Sequence, residues 1–532
     1  MPQLLFLFLL LTSIGNLFGE RPKEEPKICL TMIVKNESKI IERCLDSVKD
    51  IVDCISICDT GSSDNTVEII EQYLSDHHIP GEVHHDVWLN FGHNRTLSAK
   101  AAQKTLRELN FSLPNTYLLL LDADMIFEIT PEFKKEQLTK DFYSLVQKSL
   151  QMSYYNVRLI RASLPCECVG VTHEYWSCGN NARGDKLTTL WIDDREDGGS
   201  KADKFERDVR LLTQGLEKEP DNVRYMFYLA QSYKCLKQYD EAIKWYSKRI
   251  ENGGWKEEIW YAKLMIGEMH GLMDDWEKAL SYYLDAYQFN PERAESLERI
   301  ALYYRLKEQY DLAYLFATHG AKIPYPKNQQ LFITDTVYTY RFDEELSIAA
   351  FYTPFKKEGL AAEDRLLRNS SVPSHVKKQA LKNLHFYVEN LPNVHFEQFP
   401  KETSLRTTPA TGNPIIKIPV NQNTPTENPE NDFSVFTIVA GPVPFENGYL
   451  AVAQHASCDE NPYCFHRFLY LDKKQNIISM TDPFIYQHKG IEVCNDLNID
   501  QKNASIQMSV TIENEEPKLA SIDIKTIKSL LK

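Results

Sequence analysis

The chain is short of positive charge: 60 Lys and Arg stand against 75 Asp and Glu, a formal net charge of −15 with a pI near 5.5. A protein that grips nucleic acid needs a basic face, so this balance excludes such a partner from the expectations. It leaves room for a small phosphate-bearing ligand, because a metal ion can bring the positive charge with it. The N-terminal apolar run, Leu4 to Leu11, is too short to span a bilayer. It has the length of a signal-peptide core and is followed by the small residues Thr12, Ser13 and Gly15. The basic residue expected before such a core is missing; Arg21 and Lys23 come after it. Residues 1–20 are read as a signal peptide or short hydrophobic anchor, which points to a secretory route or membrane association, with a cytoplasmic location as the alternative. Eleven cysteines are an odd number, so full internal pairing is excluded. Cys29, Cys54 and Cys58 fall in expected strands and read as buried free thiols. Cys166, Cys168, His173 and Cys178 match no common structural zinc spacing. A zinc site and a Cys168–Cys178 bridge both stay open there.

At 532 residues the chain is too long for one core, and two to four domains are expected. Its 43% apolar and 25% charged content are those of a folded protein. The organising stretch is Tyr117–Met125, in which four consecutive leucines, Leu118 to Leu121, run into Asp122-Ala123-Asp124. An uninterrupted apolar run reads as a strand buried on both faces of a mostly parallel sheet. Its carboxylates then belong at the sheet's C-terminal edge, where open α/β sheets bind ligands. Two aspartates there suit a hard divalent cation and the phosphates it carries. Earlier strands are expected at Lys27–Val34, at Cys54–Cys58 and near Val83. A helix follows the first, with Ile41, Cys44, Leu45 and Val48 inward, and another follows the second, with Asn65 and Glu68 at capping-box spacing and Val67, Ile70 and Leu74 inward. After Trp88–Arg95 an Ala-rich helix runs to Leu106. Polar residues collect after each strand, which aligns Asn36, Glu37, Asp59, Asp122 and Asp124 along one edge.

Ile33-Val34-Lys35-Asn36-Glu37, Asp59-Thr60-Gly61-Ser62-Ser63-Asp64 and Asp122-Ala123-Asp124, each after a strand and in this order, resemble the N-terminal half of a family 2 glycosyltransferase of the GT-A fold. The resemblance implies a Rossmann-like α/β domain over residues 25–200, of hexosyltransferase class, with a nucleotide-sugar donor (a UDP-sugar first), a glycan, lipid or protein acceptor, and a divalent metal, Mn or Mg. It implies that Asp59 binds the base, Asp122 the ribose and Asp124 the metal, with Asn36 and Glu37 at the nucleotide edge and Arg95 at the diphosphate. Breaking a glycosyl–phosphate bond leaves charge on a departing diphosphate, which a metal stabilises without proton chemistry. The acceptor hydroxyl must lose a proton to a carboxylate on the other side. After an expected strand at Tyr154–Ile160, Val171–Trp176 offers Glu174 as that base, Trp176 as a sugar platform and His173 as an added metal ligand. Asp193, Asp194, Glu196 and Asp197 are rival carboxylates.

From Asp203 the apolar period becomes helical, through Phe205, Val209, Leu212 and Leu216. Leu229-Ala230, Tyr233, Tyr239, Ala242 and Tyr246 recur as Ile266-Gly267, His270, Trp276, Ala279 and Tyr283, and again as Ile300-Ala301, Tyr304, Tyr310 and Ala313. The pattern resembles tetratricopeptide repeats and places an all-α solenoid over 201–395, with a divergent further repeat through Leu346–Phe351 and a possible protein partner. Residues 396–432, rich in Pro, Thr and Asn, read as a linker. Residues 433–532 turn to short β-runs and weakly resemble closing blades of a propeller; they are too few for one and read as a small β-rich accessory module, glycan-binding or structural. Set against a working transferase is a catalytically inactive nucleotide-sugar-binding domain on a repeat scaffold, and, further off, a glycosidase centred on the β-module.

Overall fold

The computed structural model describes residues 24–149, 153–198, 203–398, 405, 415–417, 435–456, 464–487, 492–513 and 515–531. The expected leader therefore lies outside the described residues, as does most of the 396–432 interval. The chain forms two compact units, Met1–Trp255 and Lys256–Lys532.

In the first unit β1 (Lys27–Val34), α1 (Ile41–Val48), β2 (Cys54–Asp59), α2 (Thr66–Asp76), β3 (Gly81–His85), α3 (Phe91–Glu108) and β4 (Thr116–Leu120) alternate as expected. They are followed by β5 (Met125–Ile129), β6 (Phe142–Lys148), β7 (Ser153–Arg161), β8 (Glu167–Val169), β9 (Tyr175–Ser177) and β10 (Gly184–Asp194). One sheet runs β3-β2-β1-β4-β7-β6-β10-β5, with β8 and β9 paired separately. Strands β3, β2, β1 and β4 are parallel and β6 and β10 run the same way, but β7 is antiparallel to β4, with Leu119 opposite Leu159, and β5 is antiparallel to β10, so the mostly parallel sheet is mixed. The leucine run behaves as its pattern dictates. Leu119 and Leu121 enter the core that holds Ile28, Leu30 and Ile57, while Leu118 and Leu120 enter the opposite core beneath Ala99, Ala102 and Leu106 of α3.

The inward face of α1 is Ile41, Cys44, Leu45 and Val48, as read from the spacing. Helix α2 departs from expectation, burying Ile70 and Tyr73 with Leu74 only partly covered, and Asn65 makes no cap bond. Asp64 caps instead: its Oδ1 accepts from Thr66 N at 3.1 Å while its Oδ2 accepts from Ser38 N at 3.3 Å, tying this helix start to the loop after β1. Cys29, Cys54 and Cys58 are buried free thiols. The unit ends in α4 (Lys204–Lys218), α5 (Val223–Cys235) and α6 (Tyr239–Glu251). The last two are the first repeat pair, with Ala230, Ala242 and Tyr246 fully buried.

The second unit continues the helix pairs: α7 (Lys256–Leu272) with α8 (Trp276–Phe289), α9 (Glu295–Leu306) with α10 (Tyr310–Gly320), then α11 (Phe342–Ala349), α12 (Lys356–Arg368) and α13 (Ser374–Tyr387). The small residues sit where the pairs touch: a Cβ on Gly267 would lie 2.8 Å from the Tyr283 ring. The C-terminal strands are not propeller blades. Among the described residues they form two sheets, one holding Val435–Phe445, Gly448–Ala456 and Cys464–Leu471, the other His395–Gln398, Glu492–Asp500, Ser505–Ile512 and Lys518–Asp523. Their inner faces share one core, with Leu450, Val452 and Phe468 against Leu497, Met508 and Ile522, as in a sandwich. His395–Gln398 pairs with Lys518–Asp523, so the expected linker interval begins inside a sheet. Arg467 is buried and pairs with Asp364 of α12, which ties the helices to the sandwich.

Candidate active site

The loops after β1, β2 and β4 meet at one edge because parallel strands deliver their C-terminal ends to the same side. Asn36, in a left-handed conformation at φ 58°, accepts from Ser63 N through Oδ1 at 2.7 Å, while its own N–H donates to Ser62 Oγ at 2.9 Å. Glu37 N donates to Thr66 Oγ1 at 2.8 Å. These two positions knit the first two loops together. Asp59 is buried and accepts from Gly61 N at 3.0 Å and Ser62 N at 3.1 Å, with the exposed His85 ring 3.7 Å away. A carboxylate fixed this way is pre-oriented toward the loop rim.

Arg95, in the second turn of α3, is the centre of the site. Its Nη1 lies 2.7 Å from Asp122 Oδ1 and its Nε lies 2.7 Å from Glu174 Oε1, with the three side chains 16%, 24% and 17% exposed. The sequence read Arg95 and Asp122 as neighbours on one ligand and Glu174 as a group across from them; the fold joins all three directly. Burial works against the charge of Arg95, but Asp122 and Glu174 more than offset it and hold the guanidinium protonated. Burial likewise pushes Asp122 up, and Arg95 and Arg158 outweigh it, leaving the carboxyl below its ordinary range.

Arg158 and Gln147 were not foreseen as site residues. Arg158 on β7 is buried, donates to Leu120 O at 3.2 Å and Gln147 Oε1 at 2.7 Å, and stands 3.7 Å from Asp122 Oδ2. Gln147 passes the network on to Asp194 Oδ2 at 2.7 Å. The signal was available: an arginine between Val157 and Leu159 in an apolar strand needs an acceptor, and the nearest strand end supplies Asp122.

The rival carboxylates are spread along one segment. Asp193 pairs with Arg195 at 2.7 Å, Asp194 holds Gln147 and the Glu196 N–H, and Asp197 takes both Arg43 nitrogens at 2.8 and 2.7 Å. This segment folds against Asp124: Arg195 N donates to Asp124 O at 3.1 Å, and a Cβ on Gly198 would lie 3.1 Å from Asp124 Oδ2. His173 is held elsewhere. Its ring stacks on Tyr228 at 4.0 Å and its Nε2 lies 3.6 Å from Asp208 Oδ2, while Arg224 donates to its carbonyl at 2.8 Å. Among the described residues no group of three or more His, Cys, Asp or Glu converges as a ready metal cage, which also removes the zinc reading of Cys166, Cys168, His173 and Cys178. Trp176 faces Cys168 and, partly buried, packs on the core with Leu118 and Leu120; Tyr175, half exposed, stands beside Glu174 under the Arg224 guanidinium.

Parts of the chain are similar to known proteins. Two curated relatives, the SPbeta prophage-derived glycosyltransferase SunS of Bacillus subtilis (strain 168) and glycosyltransferase SunS of Bacillus phage SPbeta, are each 23% identical over 251 residues, 44% of this chain. The chain spans 56% of the length of these relatives. Among solved structures, MamA aligns at 17% identity with a TM-score of 0.26, covering 34% of this chain and 91% of that one. YrrB, a TPR protein with an unusual peptide-binding site, aligns at 14% with a TM-score of 0.26, covering 35% of this chain and 84% of that one. The family model Glycosyl transferase family 2 matches residues 29–140, the stretch that holds most of β1, all of β2 to β5, and Asp59, Asp122 and Asp124 of the strand edge, and this part of the chain is similar to that family.

Proposed function

We propose that this protein is a glycosyltransferase of hexosyl class, moving a sugar with inversion from a nucleotide-diphosphate donor, a UDP-sugar first, to a hydroxyl of a glycan, lipid or protein. The observation that carries the reading is the joining of Asp122 and Glu174 through Arg95 at the strand edge that also bears Asp59, with Asp59, Arg95 and Asp122 inside the segment that matches the family model. Asp59 would accept from the base and Asp122 from the ribose. Asp124 fits a Mn or Mg ion: it stands at the sheet edge with a glycine at its back, and such ions take one or two carboxylates and complete their shell with phosphate and water. Bound there, the ion would act as a Lewis acid on the leaving diphosphate. Glu174 is assigned to the acceptor, taking its hydroxyl proton as the new bond to the anomeric carbon forms and the bond to phosphate breaks. Arg95 holds Asp122 and Glu174 at a fixed separation, so donor and acceptor ends are positioned by one side chain.

The helix pairs would present a protein partner or the acceptor, and entry into a secretory route accounts for the apolar leader. The test is the purified full chain with manganese and a panel of nucleotide sugars, read as nucleotide release. One donor turned over, and little or no turnover by Asp124→Asn, supports the reading. Nucleotide binding by thermal shift without turnover of any donor would favour the inactive binding domain, and no binding at all would refute both.

A further inference from the structure

The hairpin that carries Glu174 has a feature the transfer reading does not use. Strands β8 and β9 pair antiparallel with Glu167 opposite Ser177, Cys168 opposite Trp176 and Val169 opposite Tyr175. The same register, extended one residue outward on each strand, sets Cys166 opposite Cys178. Directly opposed residues of an antiparallel pair have Cα atoms about 4.5–5.5 Å apart, inside the ~4.4–6.8 Å that a disulfide spans. Cys168 lies one diagonal from Cys178, and diagonal neighbours stand about 7–8 Å apart, too far to bridge. The bridge considered from spacing alone, Cys168–Cys178, is thereby replaced by a different pair. The two facing thiols are already in hydrogen-bond contact, and both are partly buried against the Leu118, Leu120 and Ile160 cluster. Cys166 also lines a cavity of about 130 Å³ with Leu164, Pro165 and Trp176, which gives a reagent an approach.

We propose that Cys166 and Cys178 are a disulfide site that staples the open end of the β8–β9 hairpin, closed by exchange with a low-molecular-weight disulfide such as oxidised glutathione. The hydrogen bond from Cys166 lowers the Cys178 thiol, which makes Cys178 the attacking sulfur. Its thiolate attacks one sulfur of the reagent, forming a mixed disulfide and releasing one glutathione thiolate. Cys166 then loses its proton and attacks the Cys178 sulfur, closing the bridge and releasing the second glutathione. Two electrons and two protons pass from the protein to two glutathione thiols. The staple acts on the site through the hairpin. Its far end is held to α3, where Gly92 N donates to Gly170 O at 3.1 Å and Cys168 N donates to Thr96 Oγ1 at 2.9 Å. Closing the open end fixes the remaining freedom of the segment that places Glu174 on Arg95. Unlike the proposed function, this inference needs no donor, acceptor or metal.

The full-length chain is equilibrated with a large excess of oxidised over reduced glutathione, remaining thiols are blocked with N-ethylmaleimide, and disulfides are mapped by mass spectrometry after proteolysis. A cross-linked peptide joining Cys166 to Cys178 is expected, with loss of both from the alkylated pool. The cross-link disappears in Cys178→Ser and persists in Cys168→Ser. The proposal is overturned if both thiols stay alkylated in the wild-type chain, if Cys178 is found joined to Cys168, or if glutathione remains on Cys178 without being displaced. The wild-type result stands whatever the folding of the variants, and none of these outcomes depends on glycosyl transfer.

Discussion

The Arg95 bridge can be tested as a coupling energy. Arg95→Met and Glu174→Gln, alone and together, form a double-mutant cycle that isolates the pair from the rest of the network. Exposed ion pairs couple by about 0.2–1 kcal/mol, whereas a hydrogen bond to a charged group is worth about 1.5–3 kcal/mol. At 2.7 Å, with both side chains less than a fifth exposed, the pair belongs to the second class, and a coupling of about 2 kcal/mol is expected. Because the chain has two units, a single unfolding midpoint would mix them, so the readout is amide exchange of α3 and of the β8–β9 hairpin. The sign with pH is also set. Asp122 lies below its ordinary value in the fold, so its contribution is fully present above the unfolded carboxylate range and is lost as pH falls through the depressed value. In Arg95→Met only Arg158 remains against burial, and that acid-labile contribution shrinks. A coupling under about 0.5 kcal/mol would mean that solvent screens the pair, and Arg95 would not be the element that fixes Glu174.

Asp124→Asn should lower turnover on the order of a hundredfold while leaving the melting curve unchanged, since it removes an electrostatic group at a sheet edge; near-normal turnover with added manganese would refute the metal assignment. Glu174→Gln should abolish transfer with nucleotide affinity within a few-fold, and transfer lost in Asp194→Asn but kept in Glu174→Gln would move the base across the Gln147 link. Burial lifts the Glu363 carboxyl to about 8, so its fold-favouring protonated form is complete below the unfolded carboxylate range and its benefit is lost as pH rises through about 8. Glu363→Gln should therefore stabilise the second unit at pH 7, on the order of 3 kcal/mol by that linkage, and flatten its pH dependence in thermal melts. Gly267→Ala drives a methyl into the Tyr283 ring and should destabilise the same unit by about 1–3 kcal/mol. Asn94-Arg95-Thr96 has the form of an N-glycosylation sequon, but Asn94 is fully buried with its side chain bonded to Val87 O, so glycopeptide mapping of protein from its native source should find no sugar there.

The elements that sequence patterning determined are those whose cause is local. The Leu118–Leu121 run alternates between two cores because side chains of a strand alternate faces, and the repeat positions Ala230, Gly267 and Ala301 pack because helix pairs need small residues where they cross. The edge carrying Asn36, Asp59, Asp122 and Asp124 was legible for a related reason: parallel crossovers deliver every strand end to one side. What tertiary structure alone decided is which distant groups meet there. Nothing in the spacing of Arg95, Asp122, Arg158 and Glu174 along the chain says that one guanidinium bridges two carboxylates and a second buttresses the first, because these contacts follow from β7 reversing against β4 and from the hairpin docking on α3. For the same reason His173 was read as a metal ligand while the fold stacks it on Tyr228, and the spacing left a Cys168–Cys178 bridge open while the register sets Cys168 opposite Trp176. Periodicity reports which face a residue occupies; the partner across that face is set by long-range register, which no local pattern encodes.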